Sequence, residues 1–176
     1  MVVRRDHSAE KLEDTFGGRI AWTVEDSHSG FNAPRHLLLP HFQARGTALY
    51  AQSIGPLVTP MRAIDAILSR EADVAPLDGF FHILLRRHEP EIASRLKIIA
   101  TTPCAPIPPF VASPGVSDND LGRLQEALTS AHLVPAASQI LQALSIRRFV
   151  VPQTASYDVA ETWHMQAVAQ GYSVLI

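Results

Sequence analysis

Two serines and a glycine stand between a predicted strand and a predicted helix, in the stretch 26–32. The preceding residues 19–24 are apolar and β-branched and follow a Gly-Gly pair, a pattern typical of a buried strand. The first N–H groups of the following helix have no partner within it, and its dipole favours negative charge. The hydroxyls of Ser27 and Ser29 would add donors, so the stretch predicts an anion-binding turn.

An ordinary helix cap explains the same residues. Serine is among the preferred N-cap residues, because its hydroxyl accepts a hydrogen bond from a backbone N–H of the first turn. On this interpretation Ser27 or Ser29 satisfies its own helix and binds no ligand. The residues alone leave both interpretations open.

Two further polar features follow other predicted strands. Ser53 and Gly55 stand at the end of a strand predicted over 48–54, and Asp78 ends a strand predicted over 72–78. Strands alternate with helices along the chain, which predicts an α/β protein with a largely parallel sheet. Ligands of such sheets bind beyond the carboxyl ends of the strands. These features and the serine turn therefore predict one binding cleft.

The remaining pattern predicts the elements that would position this cleft. A run rich in proline at 103–109 resists helix, as expected of a crossover between two lobes. Residues 149–151 are expected to form a strand or an extended segment. Apolar spacing and capping residues predict the other elements: helices over 31–44, 59–70, 79–88, 118–132, 136–144 and 158–170, a short helix or turn over 91–96, and strands at 2–3, 97–101 and 110–113.

Catalytic and metal chemistry are less well supported. A hydrolase would use Ser27 or Ser29 as nucleophile with His28 or His82 as base. The sequence Asp-Ser-His-Ser-Gly differs from Gly-x-Ser-x-Gly, and adjacent residues rarely reach one another as nucleophile and base. The eight histidines include no His-x-x-x-His pair and no carboxylate at metal-ligand spacing. No catalytic residue, metal or cofactor is expected.

Composition bounds the class of protein. A chain of 176 residues with 47% hydrophobic residues can form one sizeable core or two small lobes. The formal net charge of −2, without a basic stripe, argues against nucleic acid as a partner. No apolar run is long enough for direct membrane insertion, and residues 1–6 lack the apolar core of a secretory signal. The single Cys104 supplies no disulfide, and Trp22 and Trp163 are expected to pack in the core.

Two blocks of the sequence match a known pattern. The first is Gly-Gly-Arg-Ile-Ala-Trp, followed by Asp-Ser-His-Ser-Gly-Phe-Asn at 26–32 and by Arg35. The second runs from Met61 to Asp78, a helix that reaches a strand ending in an acid. Together they resemble the phosphate/phosphite/phosphonate family of ABC-transporter substrate-binding proteins, over nearly the whole chain. The resemblance implies a type II periplasmic-binding-protein fold, with two α/β lobes around a ligand cleft.

The resemblance also implies an assignment of domains and partners. Residues 1–15 would be a strand and connection from the first lobe, 16–102 the second lobe, and 103–176 the crossover and the C-terminal part of an incomplete first lobe. The ligand would be a small phosphonate- or phosphate-like anion in the interlobe cleft, and the partner an ABC-transporter permease. The family implies a periplasmic location, although no signal peptide is visible in this chain.

The sheet-edge argument and the resemblance together give eight candidate ligand-binding residues. The two serines of the turn would hold the anion, and the acid after the third predicted strand would face an amine or a hydroxyl at the opposite end of the ligand. The candidates are Ser27, His28, Ser29, Gly30, Asn32, Ser53, Gly55 and Asp78.

Two departures from the family pattern shape these expectations. Residues 55–60 read Gly-Pro-Leu-Val-Thr-Pro where family members often carry Gly-Ser-His-x-x-Ser, which predicts a different or less polar ligand. Family members have a longer segment before the strand at 2–3, so the chain is expected to lack the N-terminal part. The apolar surface left by a missing half-lobe would favour a homodimer. Two alternatives stay open: a cytoplasmic sensor or biosynthetic enzyme on the same fold, and a non-binding truncated remnant.

Overall fold

The computed structural model describes residues 1–176, and the chain divides into two compact units. Unit 1 comprises Met1–Cys104 and Asp158–Ile176, and unit 2 comprises Ala105–Tyr157. Helices and a five-stranded sheet make this an α/β protein, as predicted. None of its helices combines the length and apolar character that a bilayer span requires. The lobe assignment of residues 1–15, 16–102 and 103–176 stays a prediction.

All five strands belong to unit 1. They are β1 (Val2–Arg4), β2 (Arg19–Ala21), β3 (Gln52–Ile54), β4 (Val74–Ala75) and β5 (Leu96–Ile98), in the order β3-β2-β4-β1-β5. β2 pairs in parallel with β3 and β4, whereas β1 runs antiparallel to both β4 and β5. The predicted largely parallel sheet is therefore mixed. The connection from β1 to β2 contains one 3-10 turn, Leu12–Thr15, and no crossover helix, so it does not require β1 to run parallel to β2.

The helices of unit 1 follow the predicted pattern closely. Proline at the first helical positions and a left-handed glycine, Gly46 at φ 67°, mark the ends of α1 as the sequence signals suggest. Thr59 caps α2 by accepting from the Arg62 N–H. The helices are α1 (Ala33–Arg45), α2 (Pro60–Leu68), α3 (Gly79–His88), α4 (Pro90–Ala93) and α7 (Asp158–Ala169).

The core of unit 1 lies on both faces of the sheet. Successive residues of a strand point to opposite faces of the sheet. In β1, β2 and β4, two adjacent apolar residues therefore belong to two different buried clusters, one on each face. One cluster contains Val3, Ile20 and Val74 with side chains of α1 and the C-terminal segment, among them Leu38 and Tyr172. The other cluster contains the alternate strand residues with apolar side chains of α2 and α3: Val2, Ala21, Ala75, Ile64, Ile67 and Leu85. Short strands are thereby covered on both sides.

Unit 2 contains two helices and no strand. α5 (Asp118–Ser130) begins at Ser117, whose hydroxyl accepts from the Asp120 N–H at 3.2 Å, and α6 (Pro135–Ala143) follows the 3-10 turn Ala131–Leu133. The predicted strand at 110–113 is wrong, and residues 149–151 form no strand. Apolar β-branched residues favour a strand only where a neighbouring strand accepts their hydrogen bonds, and these segments pair with none.

Candidate anion-binding site

The candidate residues lie at one edge of the sheet. Because β2, β3 and β4 run parallel, their carboxyl ends meet at the same edge. The serine turn follows β2, Ser53 and Gly55 lie at the end of β3, and Asp78 follows β4. The topology thus brings to one edge three features that are separated by about twenty-five residues each along the chain.

A π-helical turn, His28–Asn32, forms the entrance to α1. Ser27 is its N-cap and accepts from the Gly30 N–H at 3.0 Å. The Ser27 carbonyl accepts from the N–H groups of Phe31 and Asn32, at 3.1 and 3.0 Å. The cap interpretation of Ser27 is therefore confirmed. A hydroxyl that accepts through a lone pair keeps its own hydrogen, so capping leaves Ser27 one bond to donate.

The first turn keeps several unused donors. The backbone N–H groups of His28 and Ser29 and the hydroxyl of Ser29 make no hydrogen bond within the protein. The helix end contributes positive potential at this point, and the neighbouring acidic side chains of Glu25 and Asp26 are exposed to solvent, which screens their charge. The turn can therefore present backbone and hydroxyl donors to an anion of suitable size.

Gly30 lies directly against Thr23. A Cβ atom built on Gly30 would come within 1.9 Å of Thr23 Oγ1 and 2.9 Å of Ser27 Oγ, so only glycine fits here. Thr23 is 5% exposed, and its hydroxyl has no hydrogen-bond partner. A buried hydroxyl without a partner costs free energy, and such groups mark sites of strain or of ligand contact. Sequence reasoning missed Thr23, which precedes the serine motif by four residues.

His28 is directed toward α7. Its ring stacks on Trp163 with centroids 5.3 Å apart, and its Nδ1 lies 3.2 Å from Asn32 Nδ2. Because the amide nitrogen is a donor, Nδ1 accepts, which places the ring proton on Nε2. Burial lowers the pKa of His28. His36 stacks on the same indole at 4.5 Å, and burial lowers its pKa as well.

Asn32 joins the turn to α7 and to Arg35. Its Nδ2 donates to the Ala160 carbonyl at 2.8 Å, and its Oδ1 accepts from Arg35 at 3.3 Å. The buried guanidinium of Arg35 also donates to the Ser173 carbonyl at 3.0 Å and lies 2.8 Å from His164 Nδ1. Asn32 therefore holds the turn in place from behind through its side chain. Arg35 carried the resemblance but was not predicted as part of the site.

The β3 side of the edge is built around Trp22. Its Nε1–H donates to Ser53 Oγ at 2.9 Å, and its ring lies over Gly55, where a Cβ would come within 2.4 Å of the indole. Ser53 and Gly55 thus position an aromatic ring at this edge. On the β4 side, Asp78 caps α3 and accepts from the Phe81 N–H at 2.8 Å. The carboxylate keeps further lone pairs for other donors.

Comparison with known protein families decides the class. A family model described as ABC transporter, phosphonate, periplasmic substrate-binding protein matches residues 1–157. The chain belongs to this phosphonate-binding family. The family is one of transport binding proteins, its homologues are periplasmic, and the predicted family and fold are confirmed. No match is found among curated protein sequences.

Solved structures show the same fold at low sequence identity. A binding-protein component of an ABC phosphonate transporter from Pseudomonas aeruginosa gives a TM-score of 0.82 at 17% identity, covering 97% of this chain and 57% of that one. PhnD1 from Prochlorococcus marinus in complex with methylphosphonate gives 0.73 at 17%, covering 95% and 65%. A Xanthomonas citri protein bound to ATP gives 0.64 at 20%, covering 97% and 65%. The chain spans between 57% and 65% of the length of these three proteins.

Proposed function

We propose that this protein is a solute-binding component of an ABC transporter that binds a small phosphonate- or phosphate-like anion at the turn His28–Asn32. The observation that carries the proposal is the set of unused donors at this turn: the N–H groups of His28 and Ser29 and the Ser29 hydroxyl. Membership of the phosphonate-binding family supports a phosphonate- or phosphate-like anion as the ligand.

The other candidate residues take defined places in this proposal. Ser27 shapes the turn as its cap and offers its remaining hydroxyl hydrogen to the anion. Gly30 allows the close approach to Thr23, and Asn32 anchors the turn to α7. Asp78 would meet a hydroxyl or an amine at the far end of the ligand. His28 contributes its backbone N–H, since its ring stacks on Trp163.

The partner and the location belong to the same proposal. A binding protein of this family would pass its ligand to a permease and work in the periplasm. The interlobe position of the ligand and the homodimer stay predictions. A protein that binds its ligand without turnover would leave that ligand chemically unchanged.

A calorimetric titration of the purified chain with methylphosphonate, inorganic phosphate and sulfate tests the proposal. We expect saturable 1:1 binding of at least one phosphorus anion, and unchanged ligand in the phosphorus NMR spectrum afterwards. A ligand at about a thousand times its Kd stabilises by about 4 kcal/mol, which raises the Tm by several degrees.

Ser29→Ala is the sharpest variant, because the hydroxyl that it removes holds no part of the fold. Loss of one hydrogen bond to a charged group costs about 1.5–3 kcal/mol, so the Kd should rise about tenfold to a hundredfold. Ser94→Ala is the matched control. Ser94 precedes β5, at the opposite end of the strands from the turn, and its hydroxyl donates only to the Glu91 carbonyl. Equal affinity of Ser29→Ala and the unmodified protein would refute the site, and product formation would refute the function.

A further inference from the structure

Arg35 carries a charge that is buried without an acidic partner. It is 2% exposed and is the only charged side chain among the buried residues. The ion pairs of the protein all involve other residues. Burial of a guanidinium is costly, and buried charges in proteins are normally paired with an opposite charge. Arg35 is therefore an unpaired positive charge inside unit 1.

The groups around the guanidinium are neutral acceptors. It donates to the Ser173 carbonyl at 3.0 Å and to Asn32 Oδ1 at 3.3 Å. His164 Nδ1, at 2.8 Å, accepts as well, which places the ring proton on Nε2 and leaves the imidazole uncharged. Arg35 Nε has no hydrogen-bond partner. These contacts replace hydrogen bonds to water but do not balance the charge.

One carboxylate acts on this charge without contact. Burial lowers the pKa of Arg35, and Tyr172 and Glu25 act against this effect. Glu25 is exposed and forms no ion pair with the guanidinium. Water and salt screen an exposed carboxylate more than a buried guanidinium. The charge of Arg35 is therefore only weakly offset.

Two contacts place the guanidinium against the anion-binding turn. Its central carbon lies 5.0 Å from the ring centroid of Phe31, and its Nη2 donates to Asn32. Both of these residues belong to the turn and are buried. His28 and Ser29, which carry the unused N–H donors, are partly exposed. The guanidinium thus lies beneath the turn, and the donors lie at its surface.

An anion held by these donors would be close enough to be attracted by the buried charge. One turn of helix is about 5 Å long, so the anion and the guanidinium would lie about 10 Å apart. At an effective dielectric constant of about 20, opposite unit charges at that distance attract strongly enough to change a Kd about tenfold. An anion with two negative charges gains this attraction twice.

We infer that Arg35 supplies the counter-charge for the bound anion from beneath the turn, and that it makes the site prefer anions with two negative charges to anions with one. Arg35 acts through its electric field and needs no contact with the ligand. The inference rests on the proposed function, because the turn must first hold the anion. It goes further by assigning charge selectivity to a residue outside the turn.

Titration calorimetry of the full chain at about pH 9 tests this selectivity. At this pH the histidines are neutral, phosphate and methylphosphonate carry two negative charges, and hypophosphite carries one. Hypophosphite is the smallest of the three ligands, so it fits wherever the others bind, and its Kd is measured by competition. The charge preference is the Kd of hypophosphite divided by the Kd of the tighter-binding dianion.

Arg35→Gln removes the charge and keeps a polar side chain. The Kd of the dianions should rise about hundredfold and that of hypophosphite about tenfold, so the charge preference should fall about tenfold. A purely structural role would weaken the binding of all three ligands by the same factor. Arg45→Gln is the matched control, because it removes the same charge from the exposed last turn of the same helix. Its charge preference should equal that of the unmodified protein.

His164→Glu tests the charge while Arg35 stays in place. A carboxylate at this position would pair with the guanidinium, which lies 2.8 Å from His164 Nδ1, and would cancel its charge. The Tm of the ligand-free protein should be kept or raised, because the buried charge gains a partner. The charge preference should nevertheless fall about tenfold. His164→Gln has a neutral side chain of the same length as glutamate and should keep the preference.

The outcomes separate the inference from the proposed function. If the unmodified protein binds a dianion but the charge preference is unchanged in Arg35→Gln or in His164→Glu, the role of Arg35 is overturned and the anion turn stands. If none of the three ligands binds to the unmodified protein, the proposed function itself fails and the inference fails with it.

Discussion

The two units of this protein use apolar residues in opposite ways. In unit 1 the short strands are covered on both faces, and side chains such as Ile20, Ile67 and Val74 are completely buried. In unit 2, Leu141 is the single apolar side chain that is buried, while Phe110 is 77% and Leu133 73% exposed. Both units contain well-formed helices, so helix formation and burial are separate properties here.

The difference shows where the stability of the protein resides. Helical periodicity predicts that one face of α5 or α6 is apolar, but most helical stability comes from what that face packs against. α7 is of similar length to α5, yet it buries Trp163 and Ala167 in unit 1. We therefore expect changes to apolar residues to have large effects in unit 1 and small effects in unit 2.

Truncation of an isoleucine in each unit gives the largest expected contrast. Ile67→Ala removes a completely buried side chain from the α2 face of the sheet and should cost about 2–5 kcal/mol. Ile140→Ala removes a side chain that is 62% exposed on α6 and should change the free energy of unfolding by less than about 0.5 kcal/mol. Urea unfolding followed by circular dichroism measures both. Losses of similar size in the free energy of unfolding would show that side chains in the two units are packed equally well.

Most of the fold follows from local sequence signals. The helix predicted over 79–88 has the observed bounds, because Glu89-Pro90 ends it as the sequence indicates; its cap, Asp78, is a finding of the structure. The direction of β1 could not be predicted in the same way, because a three-residue strand carries no signal of its partner's orientation. The strand predicted at 110–113 was wrong for a related reason: β-propensity says nothing about whether a partner strand is present.

A pair of glycine substitutions should change stability in opposite directions. Gly30→Ala forces a Cβ against Thr23 Oγ1 and should cost about 1–3 kcal/mol. Gly122→Ala lies within α5, where nothing is near the new Cβ, and should stabilise that helix by about 0.5–1 kcal/mol. Differential scanning calorimetry of the two variants measures the shifts. Destabilisation by Gly122→Ala would contradict the loose packing of unit 2.

The site was only partly predictable. A strand followed by serines before a helix indicates an anion turn, because that chemistry is local. The side chain of Thr23 lies against Gly30, and nothing in the spacing of these two residues along the chain indicates that contact. The ring of His28 turns toward Trp163, which lies far along the chain. A local pattern predicts backbone donors well and side-chain directions poorly.

The smallest expected effect is that of pH on the packing of α7. This helix is packed into unit 1, whereas the helices of unit 2 are largely exposed. Two histidines with pKa values lowered by burial, His28 and His36, stack on Trp163, and His164 accepts from Arg35 beside them. Between their folded pKa values and about 6.5 the unfolded chain binds more protons, so stability rises with pH there.

We therefore expect the two histidines to make their full contribution to the free energy of unfolding above about pH 6.5. That contribution should be lost as the pH falls through the folded pKa values of His28 and His36. His82, with its pKa lowered by burial and by Arg86, adds in the same direction. The double variant His28→Gln, His36→Gln should flatten this slope. Trp163 emission in a Trp22→Phe background reports on α7 directly, because that variant leaves one tryptophan. If the double variant keeps the same dependence of the free energy of unfolding on pH, α7 is held by its apolar contacts alone. The contrast with α5 and α6 would then depend on burial and not on the histidines.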